Sequence, residues 1–227
     1  MFAFRVCGLP TMQAMNTLRS ERPRGHLLRG WHARLYDIVM WLLAGGNRDR
    51  YLLRIVHLAK VGRADAVLDI GCGTGSLVMA TKQGARARRV HGIDASPDMV
   101  GLARKKARRR RADVTFELAS AESLPFEDAS FDVVFSTLML HHQPRSAREQ
   151  SAREISRVLK PAGRVLVVEF GSSAPRRGWF GRFHRHGHVA AEEVDRYLAA
   201  AGLVVVERGP IGVRDIHYTL AVLGQGG

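Results

Sequence analysis

The chain has 227 residues, 46% of them hydrophobic and 25% charged, which is ordinary for a globular protein and sufficient for one α/β domain. Two cysteines, Cys7 and Cys72, suggest no disulfide framework, and no apolar run reaches the ~18 residues of a membrane span, so we expect a cytoplasmic protein. The net charge of +14 is compatible with contact to nucleic acid or an anionic membrane, or with a general bias toward arginine.

Residues 1–30 are rich in arginine, carry Glu21 as their one acid, and show no clear apolar period. They resemble an organellar transit peptide, a disordered leader or an over-long gene start, and we expect a flexible basic arm. Apolar residues then recur at helical spacing on both sides of Gly45-Gly46, which predicts two N-terminal helices over residues 31–60.

A glycine-rich turn follows the first predicted strand, Val67 to Ile70. Asp69 lies near the end of that strand, and three glycines alternate after it: Gly71, Gly73 and Gly75. A strand that ends at such a turn exposes backbone N–H groups and lets a ligand approach without meeting side chains. The next strand pattern, Arg89 to Ile93, is closed by Asp94, at a spacing that suits a carboxylate bound to ribose hydroxyls.

The kind of nucleoside cofactor can be inferred from this turn. The third glycine is out of place for the G-x-G-x-x-G pattern of nicotinamide enzymes, and Asp69 beside the turn would repel a pyrophosphate. A carboxylate there would attract an ammonium group, which favours S-adenosylmethionine. A nicotinamide-dependent oxidoreductase and a non-catalytic RNA- or membrane-binding protein remain as alternatives.

The helix predicted after Asp94 starts with a capping residue, Ser96, and a first-turn proline, Pro97, and ends in the basic block Arg104–Arg111. The basic block is interpreted as a solvated helix end, with contact to anionic lipid or RNA as the alternative.

Two further strand patterns, Val114–Leu118 and Phe131–Ser136, follow, and Asp132 in the second has a structural interpretation. Ligands of open α/β sheets bind outside the carboxyl ends of the strands, so residues 137–142 should face the site. His141 and His142 are the candidate catalytic bases, with a role in shaping the pocket as the alternative.

The last third of the chain predicts a helix over residues 146–159, a strand over 164–170, a helix over 190–201 and an antiparallel hairpin, 203–207 with 216–223, at the sheet edge. The segment 171–188 between strand and helix is basic and aromatic, which favours a mobile lid. Its alternating histidines, His184, His186 and His188, lack a nearby carboxylate or cysteine, so no metal is expected.

Four segments in this order resemble the class I S-adenosylmethionine-dependent methyltransferases, and most closely their ubiquinone/menaquinone-biosynthesis-like small-molecule group. They are Val67–Gly75, Gly92–Met99, Ala121–Phe126 leading to Phe131–Val134, and Arg157–Arg164. The resemblance, over about residues 35–223, implies a three-layer Rossmann-like α/β fold whose seven-stranded, mostly parallel sheet has an antiparallel last strand. It also implies a cofactor-binding domain over 61–224, with the N-terminal helices and the 171–188 lid over the active site.

The resemblance and the strand ends together predict the cofactor-binding residues. Asp69, Gly71 and Gly73 should contact the methionine moiety and Asp94 the ribose. Relatives often carry an adenine-binding carboxylate where this chain has Ser120, so Glu122 or the backbone of Ala121 is expected to replace it. The full predicted set is Asp69, Gly71, Cys72, Gly73, Gly75, Asp94, Ala95, Met99, Ala121, Glu122, Ser136 and Leu138.

Methyl transfer from a sulfonium mainly requires alignment of donor and acceptor, which can supply ~7–11 kcal/mol of the barrier. A base is needed only for a hydroxyl, amine or acidic carbon acceptor. We expect a small or lipid-like organic acceptor such as a quinone, phenol, phospholipid head group or secondary metabolite. The methylated atom (O, N or C) and the oligomeric state cannot be inferred from the sequence, and nucleic acid is not expected as a partner.

Overall fold

The computed structural model describes residues 47–171, 189–213 and 215–224. The predicted basic arm, the first predicted helix and the lid segment 172–188 with its three histidines lie outside the described residues. The described residues comprise the second predicted N-terminal helix and the predicted cofactor-binding domain apart from the lid segment.

Helices flank a central sheet in the described part of the chain. They are α1 (Arg48–Leu58), α2 (Ser76–Gly84), α3 (Pro97–Arg110), α4 (Arg145–Val158) and α5 (Ala191–Ala200), with a short 3-10 helix at Leu140–His142. The start of α3 is as predicted, because the Ser96 side chain accepts a hydrogen bond from the Met99 N–H at 3.4 Å. α2 begins differently, after the left-handed Gly75, and has no side-chain cap.

The sheet has seven strands in the order β3-β2-β1-β4-β5-β7-β6. Their bounds are β1 (Ala66–Ile70), β2 (Arg89–Asp94), β3 (Thr115–Leu118), β4 (Phe131–Thr137), β5 (Leu159–Phe170), β6 (Leu203–Pro210) and β7 (Ile216–Leu223). β1 to β5 are parallel, and β7 pairs antiparallel with both β5 and β6. The predicted fold class is confirmed.

The last two strands form the antiparallel hairpin that was predicted at the edge of the sheet. β7 lies between β5 and β6, so β6 alone forms that edge of the sheet. Burial explains the order: residues 218–221 of β7 are all buried, whereas β6 alternates between covered and exposed residues. A strand with a continuous buried run belongs inside a sheet, and an alternating one can face water.

The sheet divides the core into two apolar layers. Val67 and Phe135 pack with Ile55 of α1 and Val78 of α2 on one face of the sheet. The residues that alternate with them along the strands point to the other face and pack with α4 and α5. All five residues of β1 are buried. Asp132 has the predicted structural role, because its Oδ2 accepts hydrogen bonds from the Ala66 N–H at 2.8 Å and from Lys160 Nζ at 2.7 Å.

The parallel register brings the carboxyl ends of β1, β4 and β5 side by side, since Ile70 pairs with Ser136 and Ser136 with Val167. The candidate site lies at these strand ends.

No helix within the described ranges is long and apolar enough to cross a membrane.

Candidate active site

The glycine turn after β1 is held in a shape that requires glycine. The φ angles of Gly71, Gly73 and Gly75 are +72°, +53° and +74°, in the left-handed region. The turn is pinned to the sheet by a hydrogen bond from the Cys72 N–H to the Ile93 carbonyl at 2.9 Å. Its backbone therefore has a fixed shape at the end of β1.

Asp94 ties the end of β2 to this turn. Its Oδ2 accepts a hydrogen bond from the Gly73 N–H at 2.9 Å, and its Oδ1 accepts one from the Ser96 N–H at 2.8 Å. Burial raises the pKa of Asp94, and these two backbone N–H groups oppose that rise. Each oxygen keeps a second lone pair, so the carboxylate can still accept from a diol.

Asp69 is buried in β1, with 2% of its surface exposed. Its Oδ1 has no hydrogen-bond partner among the described residues. Burial, and then the nearby charge of Asp94, raise the pKa of Asp69 well above its ordinary value. A buried carboxyl oxygen without a partner is costly, and a cationic ligand would relieve that cost.

The end of β4 contributes two more buried hydroxyls that lack partners within the described residues, Ser136 Oγ and Thr137 Oγ1. Leu138 follows with φ at +52°, an uncommon conformation for a residue with a side chain. Its N–H donates to the Val168 carbonyl at 2.8 Å, which turns the chain toward β5. A Cβ on Gly71 would lie 2.9 Å from Met139 Cβ, so this turn packs directly against the glycine turn.

His141 is paired with Glu169 at the carboxyl end of β5. The His141 Nδ1 lies 2.9 Å from the Glu169 Oε2, and the side chains are only 10% and 6% exposed. The other carboxylate oxygen accepts the Leu140 N–H at 2.7 Å. The His141 ring also packs against His142, with 3.9 Å between centroids and 45° between the ring planes, and contacts Phe170 edge to face. Glu169 therefore fixes both the histidine ring and the backbone that carries it.

Arg148 braces the same turn from α4. Its Nε donates to the carbonyls of Leu140 at 2.9 Å and Gln143 at 3.0 Å, and its Nη1 lies 3.1 Å from the Glu193 Oε1 at the start of α5. Arg148 is 9% exposed. A buried guanidinium with these partners holds the 3-10 helix in place.

A cavity lies between the glycine turn and α1. Eleven residues line it: Arg48, Tyr51, Leu52, Asp69, Gly71, Cys72, Gly73, Thr74, Ser76, Leu77 and Thr137. The structure thus brings together four predicted cofactor residues with the unpartnered oxygens of Asp69 and Thr137. These residues fit the amino-acid end of S-adenosylmethionine, because the orphaned carboxyl oxygen can accept from an ammonium group.

The remaining predicted residues do not line this cavity. Gly75 and Met99 are buried in the packing of α2 and α3, whereas Ala95 is exposed at the β2 turn. Ala121 is buried and Glu122 is exposed in the turn after β3, where the Glu122 N–H meets Ser120 Oγ at 3.3 Å. Their contacts with a cofactor stay predictions.

Comparison with known proteins assigns the chain to a family. Residues 67–163 match the methyltransferase domain family. The chain is 37% identical over 150 residues to a demethylmenaquinone methyltransferase of Thermus thermophilus, covering 66% of each chain. It is 32% identical over 173 residues to a demethylmenaquinone methyltransferase of Lactobacillus johnsonii, covering 71% of this chain and 69% of that one. The aligned segments thus span about two thirds of these relatives.

A solved structure, that of the [4+2]-cyclase SpnF, has the same fold, with a TM-score of 0.70 at 21% identity over 87% of this chain and 96% of that one. The chain belongs to the class I S-adenosylmethionine-dependent methyltransferases of the ubiquinone/menaquinone type. The oxidoreductase and the non-catalytic alternatives are not supported.

Sequence reasoning missed several residues of the site. Glu169 lies near the end of an apolar strand, and the same signal identified Asp69 and Asp94. Glu169 could therefore have been predicted from the sequence. Arg148 carried no such signal, because it is one of several basic residues on its helix. Only the packing of α4 shows which of those basic residues is buried.

Proposed function

We propose that the protein transfers the methyl group of S-adenosylmethionine to a small or lipid-like organic acceptor. The observation that carries this proposal is the placement of the His141–Glu169 pair at the strand ends next to the glycine turn and the unpartnered Asp69. In this proposal Asp69 would bind the cationic donor and His141 would serve as the proton acceptor. The names of the relatives at 37% and 32% identity support the same activity.

The cofactor would be held by residues of three strand ends. Asp69, Gly71 and Gly73 would hold its methionine moiety, and Asp94 would accept from the ribose hydroxyls. Met99, Ala121 and Glu122 would lie toward the adenine. When bound, S-adenosylmethionine supplies a methyl group already activated by a sulfonium. The task of this chain is then to orient the acceptor and exclude water.

His141 would remove the acceptor proton when the acceptor is a hydroxyl, an amine or an acidic carbon. With Nδ1–H donated to Glu169, the ring presents Nε2 as the free base, and the carboxylate stabilises the imidazolium that forms. His142, which packs against the same ring, would shape the pocket.

A lipid-like acceptor also gives the exposed arginines of α3 a role. Arg108, Arg109, Arg110 and Arg111 are exposed at the helix end, where they complement its negative dipole. The same charges suit peripheral contact of a cytoplasmic enzyme with an anionic membrane surface, from which a quinone-like acceptor would be drawn. Co-sedimentation with anionic and neutral vesicles at low and high salt tests this contact.

The proposed activity is tested by a screen with methyl-labelled donor, read by mass spectrometry, across a reduced prenylated naphthoquinone, phenols and phospholipid head-group amines. A labelled product is expected with at least one hydroxylated aromatic acceptor. The proposal fails if the protein does not bind S-adenosylhomocysteine, or if it binds it and methylates none of these classes.

The base is tested separately in the same assay. His141→Gln should lower turnover about 10²-fold or more, the lower range for loss of a general base. His57→Gln, at an exposed histidine of α1, is the matched control. Equal turnover in both variants at every pH would remove His141 from this role.

A further inference from the structure

Lys106 differs from the rest of the basic block in which it lies. Its side chain is half-buried, and its Nζ contacts the Thr74 Oγ1 at 2.8 Å and the Ser76 Oγ at 3.0 Å. Lys105, Arg108 and the arginines that follow are exposed. One lysine of a surface cluster therefore reaches the glycine turn, whereas its neighbours face water.

Arg48 approaches the same point from α1. Its Nη2 donates to the Ser76 hydroxyl, which also receives Lys106, and the Thr74 and Ser76 hydroxyl oxygens lie 3.4 Å apart. The two cations come from helices on either side of the turn. They meet at the first turn of α2, which contains no acidic side chain and no side-chain cap. Positive charge, orphan N–H groups and hydroxyl donors thus converge there.

A carboxyl group, opposite in charge to these two cations, lies in the same cavity. Arg48, Thr74 and Ser76 line it together with Asp69, which is 2% exposed and whose Oδ1 has no partner among the described residues. One part of the lining is anionic and another is cationic. A ligand that carries an ammonium and a carboxylate on one carbon matches both parts, whereas a simple anion or cation matches only one.

We propose that Lys106 and Arg48 bind the carboxylate of the amino-acid end of S-adenosylmethionine, with the Thr74 and Ser76 hydroxyls completing the subsite. The inference rests on the proposed function and assigns one residue of the basic block to the cofactor. In this arrangement Asp69 takes the ammonium, and the two cations take the carboxylate through charge-assisted hydrogen bonds.

Calorimetric titration with S-adenosylmethionine and with decarboxylated S-adenosylmethionine tests the proposal, because the second ligand keeps the sulfonium and the ammonium and lacks only the carboxylate. Lys106→Met and Arg48→Met should each weaken binding of the intact donor about tenfold or more, as expected for a lost charge-assisted hydrogen bond. Both should leave the affinity for the decarboxylated ligand unchanged or slightly higher. Lys105→Met, the exposed neighbour, should change neither.

The outcomes separate cleanly. Equal weakening of both ligands would mean that Lys106 and Arg48 only shape the turn, which overturns the inference, as would an unchanged affinity for both. Retained binding of the decarboxylated ligand shows that the variants fold. If the unmodified protein binds neither ligand, the proposed function itself fails.

Discussion

Asp94 accepts a hydrogen bond from the Gly73 N–H at 2.9 Å, which joins the end of β2 to the turn that follows β1. The residue assigned to the ribose therefore also supports the backbone of the turn. Any substitution there has two effects, one on the cofactor and one on the fold, and they must be measured separately.

We expect Asp94→Ala to weaken S-adenosylhomocysteine binding at least tenfold and also to lower the free energy of unfolding by about 1–3 kcal/mol, because two part-buried N–H groups lose their acceptor. Asp94→Asn keeps one acceptor oxygen and should lose less stability. Titration calorimetry and urea unfolding measure the two effects. Asp98→Ala, at the exposed first turn of α3, is the control. Unchanged affinity in Asp94→Ala would remove the ribose role.

Asp69→Asn should stabilise the folded protein at neutral pH and weaken binding of the cofactor. The folded-state pKa of Asp69 is raised well above its unfolded value of about 4. Because the folded protein holds this proton more tightly than the unfolded chain, the protonated carboxyl contributes stability to the folded state. That contribution is fully present below the unfolded pKa and is lost as pH rises through the folded pKa. Asn keeps the neutral form, so its advantage in urea unfolding should grow between pH 5 and pH 8. An advantage that is constant with pH would contradict this.

Glu169→Gln should lower turnover with any hydroxylated acceptor about 10–100-fold while leaving the affinity for S-adenosylhomocysteine within twofold. The amide cannot hold the His141 ring as the Nδ1–H tautomer with the same strength, because it carries no charge. Nitrogen NMR of labelled histidine reports the tautomer directly. Loss of turnover with an unchanged tautomer would place the role of Glu169 elsewhere.

Two glycines offer a matched pair for stability. A Cβ on Gly75 would meet Phe116 and lie 3.0 Å from Ala103 Cβ, at a φ of +74°. We expect Gly75→Ala to cost about 2–4 kcal/mol from backbone strain and overpacking. Gly101, within α3, has nothing near its Cβ position, so Gly101→Ala should stabilise by about 0.5–1 kcal/mol. Thermal melting of both variants measures the difference, and similar melting temperatures would refute it.

Arg148→Met should destabilise the protein by about 3 kcal/mol, because it removes the cationic partner of Glu193 and leaves the carbonyls of Leu140 and Gln143 without their donor. Arg153→Met, at an exposed position of the same helix, should change stability little. Chemical unfolding of the two variants compares them. If they unfold alike, the brace does not hold the 3-10 helix in solution.

The fold could be predicted because its signals are local. The apolar run of Val67 to Ile70, the glycine turn and the capping residue Ser96 each act within a few neighbouring residues, and the structure confirms them. The place of β7 inside the sheet, and the inward turn of Lys106 and Arg148, depend on contacts between distant segments. The Arg148–Glu193 contact, for example, spans 45 positions. The spacing of residues along the sequence does not predict such contacts.

β7 lies between two strands that precede it in the chain. During synthesis β5 can pair with β4, but the other edge of β5 and the whole of β6 lack their partner until residues 216–223 have left the ribosome. A chain cut before Ile216 would display two unsatisfied strand edges, which is a recognised route to aggregation. The nascent polypeptide is thus exposed to misassembly until its final strand arrives.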